Sequence, residues 1–409
     1  MSSTNTEVVN DRQAMLLLLR HGVAFSAFFA CLTILVLAPY RYLLRSVGEE
    51  LSANEICELS AKEKVLWSSG FLSAGTHLKK PMIEKQQATI LAVGSSRTMQ
   101  FRTKMFSRIP EAKFYTVGGA VQNAVDLDNC IQNVLAARPQ LIILGLDFWW
   151  FQAANGISSD DLIRDVSSSL TETKSIRETL DGYNRAFRLK VRFSVDRLQM
   201  YQQAWNDPRF HERLWAESRL DDATGRVKLG CKKTGGFRND GSYRYSALID
   251  QPFTPDQIAA QGEALVQAGK YVAAGVDQAA CVRLARFLHE CRKGGIEVVA
   301  LLPPIESRVL RQLQAEDVGG EFWKQWPFIT EQICGMTGHE FYDCSNPELS
   351  GISSQQFVDW LHAADTGHAS LLAQICESTP ASALNQYVDA EQLRADVINR
   401  VSELDLYGD

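Results

Sequence analysis

Continuous apolar runs that stop at glycine, proline or aspartate mark the strand-like parts of this chain. Thr89-Ile90-Leu91-Ala92-Val93 ends at Gly94, Lys113-Phe114-Tyr115-Thr116-Val117 at Gly118-Gly119, Leu141-Ile142-Ile143-Leu144-Gly145-Leu146 at Asp147, and the run from Ile296 to Leu302 at Pro303-Pro304. Strands covered on both faces read this way, because neither alternate set of side chains meets water. Helix signals stand between them. Thr254-Pro255-Asp256-Gln257 is a capping signature, with threonine as cap, proline at the first helical position and glutamine three after the cap. A second helix is expected from Asp277 to Arg292, stopped by Gly294-Gly295. Glu340-Phe341-Tyr342-Asp343 reads as a last strand, and an apolar helical run begins at Ala369. This order predicts an α/β chain, a three-layer α/β/α fold with a mostly parallel sheet.

Around that body the pattern changes. From about 155 to 250 the strand-like runs stop, and charges alternate with aromatics such as Tyr183, Phe187, Tyr201, Trp205 and Trp215 at helical spacings. A helical insertion is expected there, its aromatics packed on the core or forming a lid over a site. Its end, Thr234 to Tyr245, is rich in turn residues and reads as a surface loop, the alternative being a contact to an anionic or sugar ligand through its two arginines and three aromatics. Residues 89–376 are expected to hold the domain, 40–88 a stalk and 377–409 a helical tail. Near the start, Gly22 to Pro39 carries no charge, and Met15 to Leu19 extends it. Such a run is long enough to span a bilayer as a helix. With no small-residue cleavage site after it, residues 15–39 are expected to be an uncleaved transmembrane anchor preceded by a short N-terminus, 1–14. Arg12 and Arg20 on one side balance Arg41 and Arg45 on the other, so charge leaves the orientation open.

Composition adds exclusions. At 409 residues and 45% apolar content the chain has room for one large α/β domain with an insertion. A net charge of −6 argues against a nucleic-acid-binding surface. No His-Glu-x-x-His string, paired cysteine ligands or glycine-rich phosphate loop occurs, so neither metal nor cofactor is expected. The nine cysteines match no zinc or compact disulfide pattern, and Cys130, Cys281 and Cys376 read as buried small apolar side chains.

Chemistry concentrates in two short patterns, Gly94-Ser95-Ser96-Arg97 and Asp359-Trp360-Leu361-His362. A serine just past a buried strand lies at the carboxyl edge of the sheet, where open α/β sheets bind ligands. The plainer reading is a turn in which a serine caps a helix. Asp359 and His362, three apart on a turn entering a helix, supply a base and the carboxylate that orients it, the partners an activated serine needs.

Taken with Ala363-Ala364-Asp365-Thr366-Gly367-His368, Gly118-Gly119-Ala120 and the Asp147 block, these patterns resemble the SGNH, or GDSL-like, hydrolase superfamily. The resemblance implies a flavodoxin-like domain in which Ser96 is the nucleophile, His362 the base and Asp359 its orienting group. It also implies an oxyanion site built from the Ser96 and Gly119 backbone N–H groups, with Asp147 standing where such enzymes usually carry asparagine. An ionised carboxylate there would repel an oxyanion, whereas an amide donates to it. A residue other than asparagine looks like the variant in membrane-anchored members that accompany O-acyltransferases of cell-surface polymers, the DltD-like and alginate-acetylation groups. That likeness implies a body on the periplasmic side of a bacterial inner membrane, a polytopic O-acyltransferase as partner and a polysaccharide as substrate. Arg97, Trp149, Trp150 and Arg238 are the candidate substrate-binding residues. Two functions stay open: an acyltransferase or esterase working through an acyl-serine, and a non-catalytic assembly or binding subunit that keeps the fold.

Overall fold

The computed structural model describes residues 19–32, 58, 65–67, 75–153, 227–228, 236–245, 249, 251–315 and 319–408. Five strands form the central sheet: β1 (Ile90–Gly94), β2 (Phe114–Gly118), β3 (Leu141–Gly145), β4 (Glu297–Leu302) and β5 (Glu340–Asp343). Their spatial order is β5-β4-β3-β1-β2 and every pairing is parallel. Except at the exposed Glu297 and along the half-covered edge strand β5, the strand residues are buried, which is why the runs lack alternation.

Helices α1 (Gly75–Gln86), α2 (Ala124–Ala137), α4 (Gln278–Lys293) and α6 (Gly320–Thr337) pack side by side. Between α2 and α4 in the chain comes α3 (Pro255–Gln267), which packs on α5 (Ser307–Leu313). The expected capping box of α3 forms, with Thr254 and Gln257 exchanging side-chain-to-backbone bonds. Helix α7 (Asp365–Ser378) joins none of that row; it packs against α8 (Ala390–Ile398) and the turn at Ala383–Gln386, which in turn touches β4.

Several boundaries differ from the sequence reading. Helix α1, at the end of the expected stalk, belongs to the domain: Met82 and Ile83 are buried in its core. The tail beyond 376 also packs inward through Leu384, Val388, Leu393 and Leu406, so burial continues almost to the last residue. The expected surface loop of the insertion, described over 236–245, is largely buried as well, with Asn239 left exposed. Gly236–Arg238 and Tyr243–Arg244 pair as a hairpin, the Thr116 N–H of β2 donates to the Asp240 carbonyl, and a Cβ at Gly241 would stand 2.1 Å from the Thr116 carbonyl oxygen. Residues 154–226 of the expected insertion lie outside the described residues. So do parts of the expected span 15–39, within which 19–32 is helical and exposed. No helix among the described residues is long and apolar enough to cross a membrane.

Candidate functional site

The chain runs from β1 out to β2 on one side and returns to β3 on the other, so the strand order reverses beside the carboxyl end of β1. Ligands of open α/β sheets bind in the crevice such a reversal leaves. Both serines of the first pattern sit there with separate tasks. Ser95 caps the short 3-10 turn Ser96–Thr98, its Oγ accepting from the Arg97 N–H at 3.2 Å. Ser96 opens that turn with its side chain partly exposed. Gly94 permits the tight exit: a Cβ there would meet the Thr98 methyl at 2.6 Å and the Gly145 carbonyl oxygen at 3.0 Å.

Asp359 and His362 face each other across a tight hairpin, Phe357–Asp359 against His362–Ala363, rather than on a turn leading straight into helix. Asp359 Oδ1 accepts the Leu361 N–H at 2.8 Å and the His362 N–H at 3.0 Å, a local aspartate turn that fixes the carboxylate. Both carboxylate oxygens lie 2.8 Å from His362 Nδ1, and His362 Nε2 lies 2.7 Å from Ser96 Oγ across 266 residues of sequence. With the Nδ1 proton directed to Asp359, Nε2 carries the lone pair that can accept the serine proton. Burial pushes the Asp359 carboxyl up, but His362 and the two backbone N–H groups outweigh it and hold the carboxyl below its usual range.

Arg97 belongs to the scaffold of this site. It is 2% exposed, so it cannot meet substrate as the sequence suggested. Its Nε donates to the Leu361 carbonyl at 3.0 Å, Nη2 to the carbonyls of Pro303 and Pro304 at 2.5 and 2.8 Å, and Nη1 to Asp147 Oδ1 at 3.2 Å. One guanidinium thereby joins the Ser96 turn to the ends of β3 and β4 and to the residue before His362. Its own carbonyl receives His368 Nε2 at 3.0 Å. The segment carrying His362 is thus tied to the residue beside Ser96 from both ends.

Asp147 also changes role. At 1% exposure and paired with Arg97, it is that cation's partner and not a degraded oxyanion donor. Burial pushes the Asp147 carboxyl up and the Arg97 guanidinium down, each countered by the other's charge. Gly119 is corrected too, since its N–H donates to the Gly94 carbonyl at 2.9 Å. The Ser96 N–H, at the open start of its turn, has no hydrogen-bond partner among the described residues and remains a backbone donor beside the Ser96 hydroxyl.

Of the other expected contacts, Trp150 is buried and packs toward Phe151, 6.2 Å between ring centroids. Arg238 is buried within reach of the Asp365 charge, near Arg102 and Asp240, because the loop carrying it folds into the domain. Trp149 alone of the four stays part-exposed, its ring 5.8 Å from the Arg97 guanidinium carbon. Two tyrosines outside the expected site residues flank the site. Tyr245 lies 6.3 Å from the His362 ring, and Tyr271 contacts both Trp149 and Trp360. Beyond the three expected cysteines, Cys291, Cys334 and Cys344 are also buried as free thiols.

No protein-family model and no curated protein matches this chain.

Proposed function

We propose that this chain is a serine-dependent acyltransferase or acyl esterase of the SGNH type, membrane-anchored through residues 15–39 and acting on a cell-surface or exported polysaccharide. The observation that carries the chemistry is the unbroken relay Ser96 Oγ to His362 Nε2 at 2.7 Å and His362 Nδ1 to Asp359 at 2.8 Å. Support for the superfamily comes from the five-stranded order with Ser96 at the strand reversal. The polymer, the periplasmic placement and a polytopic O-acyltransferase partner rest on the motif resemblance and on the uncharged run from Gly22 to Pro39.

In the reaction, Ser96 Oγ attacks the carbonyl carbon of an acyl ester while its proton passes to His362 Nε2, and Asp359 stabilises the imidazolium. The oxyanion of the tetrahedral intermediate meets the Ser96 N–H. Collapse breaks the ester bond, and the leaving alcohol takes the proton from His362. The acyl-Ser96 ester then reacts in reverse order with a sugar hydroxyl, giving transfer, or with water, giving hydrolysis. The two fates use the same side chains and differ in which acceptor the site admits.

A second reading, a non-catalytic binding or assembly subunit, draws on the oxyanion side, where Arg97 occupies Asp147 and the Gly119 N–H is turned inward. Covalent trapping separates the two. A fluorophosphonate should label the wild-type chain at Ser96 and fail on Ser96→Ala and His362→Ala; a wild-type chain that never labels belongs to the second reading.

A further inference from the structure

Five aromatic rings from four parts of the chain meet beside the hairpin that carries the base. Phe148 is the buried centre, 5.1 Å from Trp149, 5.8 Å from Tyr271 and 5.1 Å from Trp323. Tyr271 closes the group, 5.7 Å from Trp149 and 5.4 Å from Trp360, the residue directly after Asp359. Edge-to-face angles of 62° to 82° at four of these five contacts fit the preferred aromatic geometry. Phe148, Trp323 and Trp360 are buried, whereas Trp149 and Tyr271 are each left part-exposed.

Tyr271 holds its place against its backbone. Its φ of +64° lies in the left-handed region that bulky side chains avoid, in the turn after α3, where the Tyr271 carbonyl accepts Gln152 Nε2 at 2.6 Å. Backbone conformations of this kind persist where the surroundings over-determine them, and they gather at ligand sites. Burial, then the charges of Asp147 and Asp359, push the Tyr271 hydroxyl above its usual range, so it stays a neutral donor and acceptor.

Resting on the acyl-serine reading, we propose that Trp149 and Tyr271 form a subsite for a neutral pyranose ring, which places a sugar hydroxyl beside Ser96. An aromatic ring pair with polar edges suits a sugar, whose C–H face packs on the rings while its hydroxyls stay wet. An acyl chain would call for aliphatic walls, whereas the ring contacts of Trp149 and Tyr271 are with each other and with Phe148 and Trp360. A uronic acid would call for an available cation, and the Arg97 guanidinium is already committed to Asp147 and three carbonyls.

The test uses full-length Ser96→Ala protein in detergent, so that binding is read without turnover. It is titrated by calorimetry and saturation-transfer NMR with β-linked tetramers of glucose, N-acetylglucosamine and glucuronate, and with decanoate. A neutral tetramer should bind at least tenfold tighter than the glucuronate tetramer. Trp149→Ala and Tyr271→Ala should each weaken it at least tenfold, while Tyr271→Phe, which keeps the ring, should retain most of the affinity. A matching far-ultraviolet circular dichroism spectrum and cooperative thermal unfolding show which variants are folded. The subsite is overturned if no neutral tetramer binds, if glucuronate or decanoate alone binds, or if both alanine variants bind as tightly as their parent. Labelling of Ser96 on the wild-type chain reports the chemistry separately, so either idea can fail without the other.

Discussion

Replacing Arg97 with methionine tests how the site is held together. The substitution keeps an unbranched apolar stem but removes the charge that faces Asp147 and the donors to Leu361, Pro303 and Pro304. Removing one partner of a buried ion pair typically costs about 3–5 kcal/mol, because the remaining charge is stranded away from water. Arg97→Met should therefore lower stability by about that amount, read as a shifted midpoint in urea unfolding at unchanged slope. Adding Asp147→Leu removes the stranded carboxylate, so the double variant should recover roughly 1–3 kcal/mol of the loss, the size expected for coupled neighbours. Arg97→Lys keeps a charge without the planar fork and should fall between wild type and Arg97→Met. Acyl-enzyme formation in folded Arg97→Lys should slow by about 100-fold, the scale of an ångström-sized misplacement, because the Leu361 carbonyl beside His362 loses its tether. A cost below about 1 kcal/mol for Arg97→Met, or strictly additive costs in the double variant, would refute the clamp.

Asp147→Asn, which the sequence resemblance suggests would restore an oxyanion donor, should instead destabilise by about 1–3 kcal/mol and leave acylation no faster, since it removes the charge paired with buried Arg97 but keeps an Oδ1 that accepts from the guanidinium, a smaller loss than in Arg97→Met; unfolding and stopped-flow acylation check both halves. Burial holds His368 down at about 4, below the usual histidine value of 6.5. The unfolded chain thus binds the extra proton between pH 6.5 and 4, and this contribution to stability is present above 6.5 and lost as pH falls toward 4. Asp365, raised to about 6 by burial, acts in the opposite sense below pH 6, so the His368 share is read as a difference between the two proteins: wild type should lose stability relative to His368→Gln as pH falls from 6.5 toward 4. Lys79, buried with Nζ on the Gly118 carbonyl and 4.2 Å from the centre of the Phe237 ring, is pushed down to about 7 by burial. Its unfavourable burial eases as pH rises from 7 toward 10.5, so Lys79→Met should stabilise the protein most below pH 7, and an unchanged or lowered melting temperature at pH 6 would contradict this.

The sheet was legible because β1, β3 and β4 are buried on both faces and leave unbroken apolar runs in the sequence. Ser96, Asp359 and His362 were legible because each stands in a short local pattern. Arg97 was not, since three of its four partners are backbone carbonyls 206 to 264 residues further along, which leave no side-chain signature. The role of Asp147 was not legible for a related reason: its partner lies 50 residues back on a different strand exit. Arg238, Asp240 and Arg244 looked like a solvated loop because charge usually marks the surface. Here opposite charges from Arg102, Asp365 and Asp405 let that segment be buried. Trp149 and Trp150 are neighbours in one short turn, and only the fold decides which ring stays open to solvent.

Ser96 is the proposed carrier of the acyl group. Purified full-length protein mixed with p-nitrophenyl acetate, quenched in acid and digested, should yield the Ser96 peptide with one added acetyl group. Ser96→Ala should give none, and Asp359→Asn should accumulate it at least about a thousandfold more slowly, the loss expected when the imidazole is no longer oriented. A wild-type protein that turns over or resists the ester while Ser96 stays unmodified at every quench time would contradict the account.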